Sequence, residues 1–241
     1  MTAAHYVGGE LELFRAAVNW KRTLARHIRP LLGRRVLEVG AGLGATTLAL
    51  CDGRAEDWLC LEPDPELAAQ LRAATLPGCC RVRGGTIADL TDQAAFDTVL
   101  YVDVLEHIAD DAAELARAGA RLAPGGALVV LSPAHPWLFT AFDAAIGHHR
   151  RYTAQSLAAL TPAGLAVRRL AYLDSVGLLA SCANRLLLRS AMPSPAQIAL
   201  WDRIMVPASR LLDPVLGYRC GRSVLAVWLQ TRNNSDGFRQ H

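Results

Sequence analysis

Three glycines at alternate positions, Gly40, Gly42 and Gly44, lie between an apolar run and a helical pattern. Glycine has no Cβ and tolerates a positive φ, so a ligand can lie directly against such a turn. Glu38 stands two residues before the first glycine, and its carboxylate favours a nucleotide cofactor that also carries an ammonium group. A strand, a glycine turn and a helix in this order predict a cradle for a nucleotide cofactor.

Three histidines are candidates for removing a proton from a nucleophile. His107 follows the fourth apolar run of the chain, His135 follows the fifth, and His148 lies in the long segment 132–153. A neutral imidazole can accept a proton from a hydroxyl or an amine near neutral pH. The alternative roles are structural: a helix cap for His107 and a loop hydrogen bond for His135.

The segment 132–153 also concentrates aromatic and basic side chains, and segments of this length are usually lids or binding loops. The run of polar residues at 148–152 is dense enough to predict a position outside the core. Paired arginines bind carboxylates and phosphates through two hydrogen bonds, which suits an anionic substrate; a solvated loop face is the alternative. The candidate substrate-binding residues are Trp137, Phe139, His149, Arg150, Arg151 and Tyr152.

These groups need a scaffold, and apolar runs alternate with helical patterns from residue 35 onward. Such alternation predicts a parallel sheet covered by helices on both faces, with ligands at the carboxyl ends of its strands. The predicted strands cover 35–39, 57–61, 80–83, 97–102, 125–131, 165–172 and 223–231. The predicted helical segments cover 10–29, 44–52, 65–74, 109–122, 154–161 and 175–215.

The length and composition fit one domain, and the net charge argues against nucleic acid as a partner. Hydrophobic residues make up 52% of the 241 residues and charged residues 20%, which is enough apolar material for a sizeable core. A net charge of +3 is too small to indicate a nucleic-acid surface. The six cysteines form no C-x-x-C pair, and neither a signal peptide nor an apolar window of membrane-spanning length is visible. We therefore expect free thiols and a cytoplasmic location.

Some catalytic classes are excluded by residues that the chain does not have. Lys21 is its only lysine, so a catalytic Lys-Asp-Lys-Glu tetrad, which needs two lysines, is impossible. No Pro-Cys pair exists, which removes the covalent route in which a cysteine attacks a cytosine ring, and no Asn-Pro-Pro-Tyr or Asp-Pro-Pro-Tyr follows the fourth apolar run. No clear Asp-Asp-Asn constellation is present, so we expect no metal; a catechol-type metal site stays open as an alternative.

Four motifs together resemble the class I S-adenosyl-L-methionine (SAM)-dependent methyltransferases, and within them a bacterial small-molecule branch. They are Glu-x-Gly-x-Gly-x-Gly at 38–44, Glu-Pro-Asp at 62–64, Asp-Val-Leu-Glu-His-Ile at 103–108 and Gly-His-His-Arg-Arg-Tyr-Thr at 147–153. The resemblance implies an α/β, Rossmann-like, seven-stranded sheet in the order 3-2-1-4-5-7-6, with the last strand antiparallel and helices on both faces. It also implies a single domain over 1–241, with a helical cap at 1–34, a SAM-binding core at 35–131 and a substrate-side half at 132–231 that includes a helical insertion at 175–215.

The same resemblance implies the parts of a cofactor site. The glycines would pass beneath SAM, Glu62 would hold its ribose, and Glu38 and Asp103 would lie near its methionine end. A loop at 84–89 would lie beside the adenine. The N-terminal segment would cover the pocket, with a staple onto the core as the alternative. The implied cofactor-binding residues are Tyr6, Trp20, Glu38, Gly40, Ala41, Gly42, Gly44, Glu62, Pro63, Thr86, Ile87, Asp103 and Val104.

We therefore expect an enzyme that transfers a methyl group from SAM to an oxygen, nitrogen or carbon atom of a small molecule, natural products and lipid-like compounds included. S-adenosyl-L-homocysteine (SAH) would be the second product. The alternatives are a SAM-binding protein without turnover and an NAD-type oxidoreductase, because residues 40–45 also satisfy G-x-G-x-x-A. The arginines among apolar residues at 175–215 indicate core or a homodimer face, with peripheral lipid contact as the alternative.

Overall fold

Seven strands form one mixed sheet in the order β3-β2-β1-β4-β5-β7-β6. The computed structural model describes residues 14–91, 95–183 and 194–231. Strands β1 to β5 pair in parallel, whereas β7 pairs antiparallel with both β5 and β6. The predicted fold class and strand order are confirmed. The strands are β1 (Arg35–Val39), β2 (Asp57–Glu62), β3 (Cys80–Gly84), β4 (Phe96–Val102), β5 (Leu122–Pro133), β6 (Leu165–Leu173) and β7 (Ser223–Gln230).

Helices cover both faces of this sheet. The described helices are α1 (Val18–Ile28), α2 (Ala45–Leu50), α3 (Pro65–Ala73), α4 (Asp111–Ala120), α5 (Ala141–Ala145), α6 (Ala154–Ala159), α7 (Ser175–Ala183), α8 (Pro195–Leu200) and α9 (Val206–Val215). A π-helical segment, Trp201–Met205, joins α8 to α9, and short 3-10 turns occur at Arg29–Leu31, Ile87–Asp89, Leu105–His107 and Pro136–Leu138.

The apolar runs of the sequence are strands buried on both faces. Along β1, Val36 packs in one apolar layer with Trp58 and the helix α1, while Leu37 and Val39 pack in the opposite layer. Successive side chains of a strand point to opposite faces, so a strand covered on both sides is apolar at nearly every position. The one acidic residue in β1, Glu38, is therefore buried as well.

The structure departs from the predicted elements in three places. β5 begins at Leu122, three residues before the predicted strand, because Leu122 pairs with Phe96 and the register then shifts before Ala127 pairs with Thr98. The segment 132–153 contains α5 and a 3-10 turn. Tyr152 is in the core, only 2% exposed, so the prediction that the run 148–152 lies wholly outside the core is wrong for this residue.

Within the predicted helical stretch 175–215, the described residues are only partly in the core. In α9, Leu211 and Val215 are 76% and 82% exposed, so this helix presents an apolar face that the described chain does not cover. Homodimer contact and peripheral lipid contact at this face stay predictions. No helix within the described ranges is long and apolar enough to cross a bilayer.

Candidate active site

The glycine turn between β1 and α2 takes a backbone path that favours glycine. Gly40, Gly42 and Gly44 have φ angles of 71°, 54° and 78°, values that side chains with a Cβ rarely adopt. A Cβ on Gly40 would also lie 2.6 Å from Cγ2 of Val104. Val104, which follows β4, therefore packs directly beneath the turn, and the carboxyl ends of β1 and β4 are held together there.

Glu62, the last residue of β2, braces the same turn from the other side. Its Oε2 accepts a hydrogen bond of 2.7 Å from the Gly42 backbone N–H, and its Oε1 accepts one of 3.0 Å from Asp64. Glu62 is 5% exposed, and burial raises the pKa of its carboxyl above 4.5. A carboxylate fixed at this strand end has lone pairs left with which to accept ribose hydroxyls. Pro63, the next residue, is exposed.

Glu38 lies beneath the turn and contacts the protein interior. Its Oε2 accepts hydrogen bonds of 2.8 Å from both the Thr47 hydroxyl and the Trp58 indole N–H. Burial raises the pKa of Glu38 to about 7, against the opposing effect of those two donors. The carboxyl thus joins α2 and β2 to β1, and its contact with the cofactor's ammonium group stays a prediction.

The loop expected beside the adenine is stabilised by its own side chains. Asp89 Oδ2 accepts hydrogen bonds from the Thr86 N–H (2.7 Å) and the Thr86 hydroxyl (2.8 Å). Ile87 is buried in the apolar layer. The Asp89 carboxylate is therefore engaged within the loop, and contacts of Thr86 and Ile87 with adenine stay predictions.

Asp103 follows the carboxyl end of β4, and the charge of Arg222 acts on its carboxyl. Asp103 has a φ of 55°. Although the residue is exposed, desolvation of its carboxyl raises the pKa to about 6, while the charges of His148 and Arg222 act to lower it. The guanidinium of Arg222 lies 4.2 Å from the Trp201 ring centre and 3.6 Å from Oδ2 of Asp174. The expected position of Asp103 near the methionine end of SAM stays a prediction.

His107 and His148 come together beside a buried carboxylate. Their ring centres are 4.6 Å apart in an edge-to-face arrangement, and His148 Nε2 is 3.9 Å from Oε1 of Glu106. Asp143 accepts a 3.0 Å hydrogen bond from His148 Nδ1 and is bound by Arg151 through Nε at 2.8 Å and Nη2 at 3.0 Å. Arg151 is thus engaged with a carboxylate of its own chain.

His135, the third predicted base, lies apart from the other two histidines and is fixed by contacts within the fold. Its Nε2 lies 3.0 Å from the Gly221 carbonyl oxygen, to which it donates, and its ring stacks on Tyr172 at 5.0 Å with an interplanar angle of 5°. Burial lowers the pKa of His135 below 6.5. These contacts match the loop hydrogen bond that was the alternative role, and a catalytic role stays a prediction.

Arg150 and Tyr152 also have partners within the fold. Arg150 donates to Asp111 Oδ2 at 2.8 Å, and the Tyr152 hydroxyl donates to the same oxygen at 2.8 Å. Because Tyr152 is almost fully buried, this geometry gives it no surface for a substrate. Asp111 begins α4, so the pair anchors the end of the 132–153 segment to that helix.

The remaining predicted residues are spread more widely. Trp137 is 52% exposed, Phe139 is half-buried and His149 is exposed, so all three can still meet a ligand. Trp20, on the buried side of α1, is 8% exposed, and its ring centre lies 5.8 Å from that of Trp201; its contact with the cofactor stays a prediction. Tyr6 lies outside the described residues.

Three site residues were missed by the sequence reasoning: Glu106, Asp143 and Arg222. Glu106 and His107 are adjacent in the motif at 103–108, so the signal for Glu106 was present in the chain. Asp143 and Arg222 lie 40 and 119 positions beyond Asp103, and no local pattern connects them. Only the fold brings them to the end of β4.

Comparison with known proteins identifies the domain. The family model described as a methyltransferase domain matches residues 37–128, the segment that contains the glycine turn, Glu62 and Asp103. Residues 37–128 are therefore similar to a methyltransferase domain. A domain of this kind implies SAM as the cofactor and SAH as its product, and contacts of the acidic residues at the ends of β2 and β4 with that cofactor stay predictions.

Individual relatives resemble the methyltransferase domain over part of their length. The ubiquinone biosynthesis O-methyltransferase of Azorhizobium caulinodans is 37% identical over 109 residues, which is 44% of this chain and 43% of that protein. The chain spans about half or less of the length of the curated relatives that it matches.

Two solved structures share the fold. An S-adenosylmethionine-dependent methyltransferase from Mesorhizobium loti has a TM-score of 0.60 at 19% identity, over 89% of this chain and 98% of that one. The [4+2]-cyclase SpnF has a TM-score of 0.61 at 16% identity, over 94% and 96%. At these identities the likeness shows the fold alone.

Proposed function

We propose that this protein transfers a methyl group from SAM to an oxygen, nitrogen or carbon nucleophile of a small molecule. The observation that carries the proposal is the braced glycine turn, in which the Gly42 N–H donates to Glu62 inside the matched methyltransferase segment. A fixed turn between two strand ends gives SAM a preformed surface. Preformed sites reduce the conformational entropy that is lost on binding.

Methyl transfer from a sulfonium is an in-line displacement, so the protein must align the acceptor, exclude water and in many cases take up a proton. The carboxyl end of β4 offers groups for this step, because Asp103 has a pKa of about 6 and lies near the imidazole of His148. A group with a pKa near the working pH suits proton transfer. Trp137 and Phe139, in the segment that follows β5, would contribute apolar contacts to the acceptor.

A small-molecule acceptor is supported by the kind of relative that matches. The Azorhizobium caulinodans protein is named for ubiquinone biosynthesis, which is chemistry on a small molecule. The net charge of +3 is too small to indicate a surface for nucleic acid. Natural products and lipid-like compounds are the acceptor classes that we propose to test first.

A SAM-binding protein that does not transfer methyl groups is the second candidate. It is favoured by one observation: the cyclase SpnF has the same fold across nearly the whole chain. Binding and turnover must therefore be measured separately.

The first experiment is calorimetric titration with SAM, SAH and NADH, followed by incubation with SAM and panels of phenols, amines and lipid-like compounds. We expect SAM and SAH to bind and NADH not to bind, and mass spectrometry to show one acceptor gaining a methyl group as SAH accumulates. Binding without any methylated product would support the second candidate. Binding of NADH, or of no adenosyl ligand, would overturn the proposal.

A matched pair of variants locates the site. Glu62→Ala removes the carboxylate that accepts from Gly42, so we expect it to abolish SAM binding. Glu66→Ala changes an exposed glutamate in the first turn of α3 and should bind SAM as the parent does. Equal SAM affinity in the two variants would contradict the site assignment.

A further inference from the structure

The carboxylate of Glu106 is buried without full hydrogen bonding. Its exposed fraction is 0%, and no hydrogen bond of normal length and angle reaches Oε1 or Oε2 from the described residues, although the buried Ser132 hydroxyl acts to lower the pKa of the carboxyl. Burying a polar group without full hydrogen bonding is unfavourable, so native proteins rarely leave one in that state without a reason. A buried carboxylate in this state is explained by a bound cation or by protonation.

The neighbouring His148 has the orientation of a metal ligand. Its Nδ1 is 3.0 Å from Asp143 Oδ1, and the side chains of Arg151 and Thr140 also donate hydrogen bonds to that aspartate. Asp143 accepts the proton of Nδ1, which leaves Nε2 on the side of Glu106, 3.9 Å from its Oε1. A carboxylate that fixes the far nitrogen of an imidazole is the usual outer contact of a metal-binding histidine.

His107 completes the group. Its ring stands edge-to-face with that of His148, with 4.6 Å between the ring centres. An imidazole nitrogen is the commonest metal ligand in proteins. One ligand atom each from Glu106, His107 and His148 lies within 4.8 Å of the others.

We propose that Glu106, His107 and His148 bind one divalent transition-metal ion of the zinc type at the carboxyl end of β4. Two imidazoles and one carboxylate form a set that suits these ions and leaves coordination positions open. The sequence-based expectation of no metal, which rested on the absence of an Asp-Asp-Asn pattern, is replaced by this proposal. The ion would lie beside Asp103, at the strand end where the acceptor approaches SAM.

If the protein transfers methyl groups as proposed, a metal ion at this site favours an acceptor with a hydroxyl group. A metal ion lowers the pKa of a bound hydroxyl, so that its proton passes to solvent near neutral pH. The oxygen lone pair then forms the new C–O bond to the methyl carbon, and the C–S bond breaks with its electron pair left on sulfur. The sulfonium becomes the neutral sulfur of SAH, and its positive charge leaves with the proton that passed to solvent.

The test is a cobalt(II) titration of the full chain after dialysis against a chelator. We expect one equivalent of Co²⁺ to produce visible d–d absorption without thiolate charge-transfer bands, because the ligands are nitrogen and oxygen. Cys51, Cys79 and Cys80 also lie within ligand distance of one another, and strong near-ultraviolet thiolate bands in place of the expected spectrum would place the ion there and overturn the proposal. Absence of Co²⁺ binding would mean that Glu106 is protonated, and would overturn it as well.

Variants make the assignment specific. Glu106→Gln and His148→Ala should lose the Co²⁺ spectrum, and Asp143→Asn should weaken Co²⁺ binding by about 10–100-fold through the histidine that it orients. His149→Ala alters the adjacent exposed histidine and should leave the spectrum unchanged. Parent-like binding by folded Glu106→Gln would contradict the site. SAM affinity, measured by calorimetry on the metal-free chain, tests the proposed function separately: loss of SAM binding with intact Co²⁺ binding would remove the function and leave the metal site standing.

Discussion

Glu38 makes the stability of the glycine turn depend on pH. Its carboxyl is buried beneath the turn, and burial raises its pKa from 4.5 to about 7, although hydrogen bonds from Thr47 and Trp58 lower it in part. At about 1.36 kcal/mol per pKa unit, this shift corresponds to about 3 kcal/mol of unfolding free energy. A contribution of that size is a substantial share of the stability of a typical domain.

The direction in which stability changes with pH depends on whether the folded or the unfolded state holds the Glu38 proton. Between about pH 4.5 and pH 7 the unfolded chain has released the Glu38 proton and the folded protein still holds it, so stability falls as pH rises. The contribution is complete below about pH 4.5 and is lost by about pH 7. Glu38→Gln keeps an oxygen that can accept from Thr47 and Trp58 and has no proton to lose. The unfolding free energy of the variant minus that of the parent should therefore increase by about 3 kcal/mol across this range.

Urea unfolding of both proteins at closely spaced pH values, followed by circular dichroism, measures this difference. The subtraction removes the effect of other buried acids, such as Glu114, whose pKa is also raised by burial. Trp58→Phe removes a donor that stabilises the ionised carboxylate, so its stability loss should extend to higher pH. A difference between Glu38→Gln and the parent that does not vary with pH would refute the reasoning. It would mean that Glu38 is ionised in the folded protein at neutral pH and available as a charge to the ammonium group of SAM.

Two further changes test the site and its support. Gly40→Ala places a Cβ 2.6 Å from Val104 Cγ2 at a φ of 71°, and it should abolish SAM binding in calorimetry. The control is Gly53→Ala, because Gly53 also has a positive φ, 86°, with open space around it. That variant should lose about 1–2 kcal/mol of stability and retain SAM binding. Tyr152→Phe removes the hydroxyl that donates to Asp111 and should lower the unfolding free energy by about 1–3 kcal/mol in urea titration, whereas an unchanged midpoint would show that this buried bond adds nothing.

The sheet could be predicted because its signals are local. Runs such as 36–39 are apolar at almost every position, and each is followed by residues that end a strand, so the strand order followed once the motifs were recognised. The start of β5 could not be predicted, because Leu122 joins the sheet through a register shift opposite Phe96. A Pro-Gly-Gly sequence predicts a turn and cannot reveal a partner that lies 26 positions earlier.

The candidate site was predictable in position and only partly in its contacts. The glycine turn, Glu62 and Asp103 were found from spacing, because strand ends collect ligand-binding residues. The partners of the histidines were not found, since Asp143 and Arg151 approach His148 through the folding of the segment around α5. Tyr152 was misjudged for a related reason: its polar neighbours indicated a surface loop, while its own ring fills a place in the core and its hydroxyl has a buried acceptor.

The position of β7 in the sheet has a consequence for how this chain is made. Of the seven strands β7 is the last in sequence, and it pairs with both β5 and β6. On the ribosome, therefore, β5 keeps an open edge and β6 has no neighbour in the sheet until residues 223–230 emerge. Open strand edges recruit other chains, so the nascent protein depends on the speed of its final step, or on a chaperone that covers β5, to avoid aggregation.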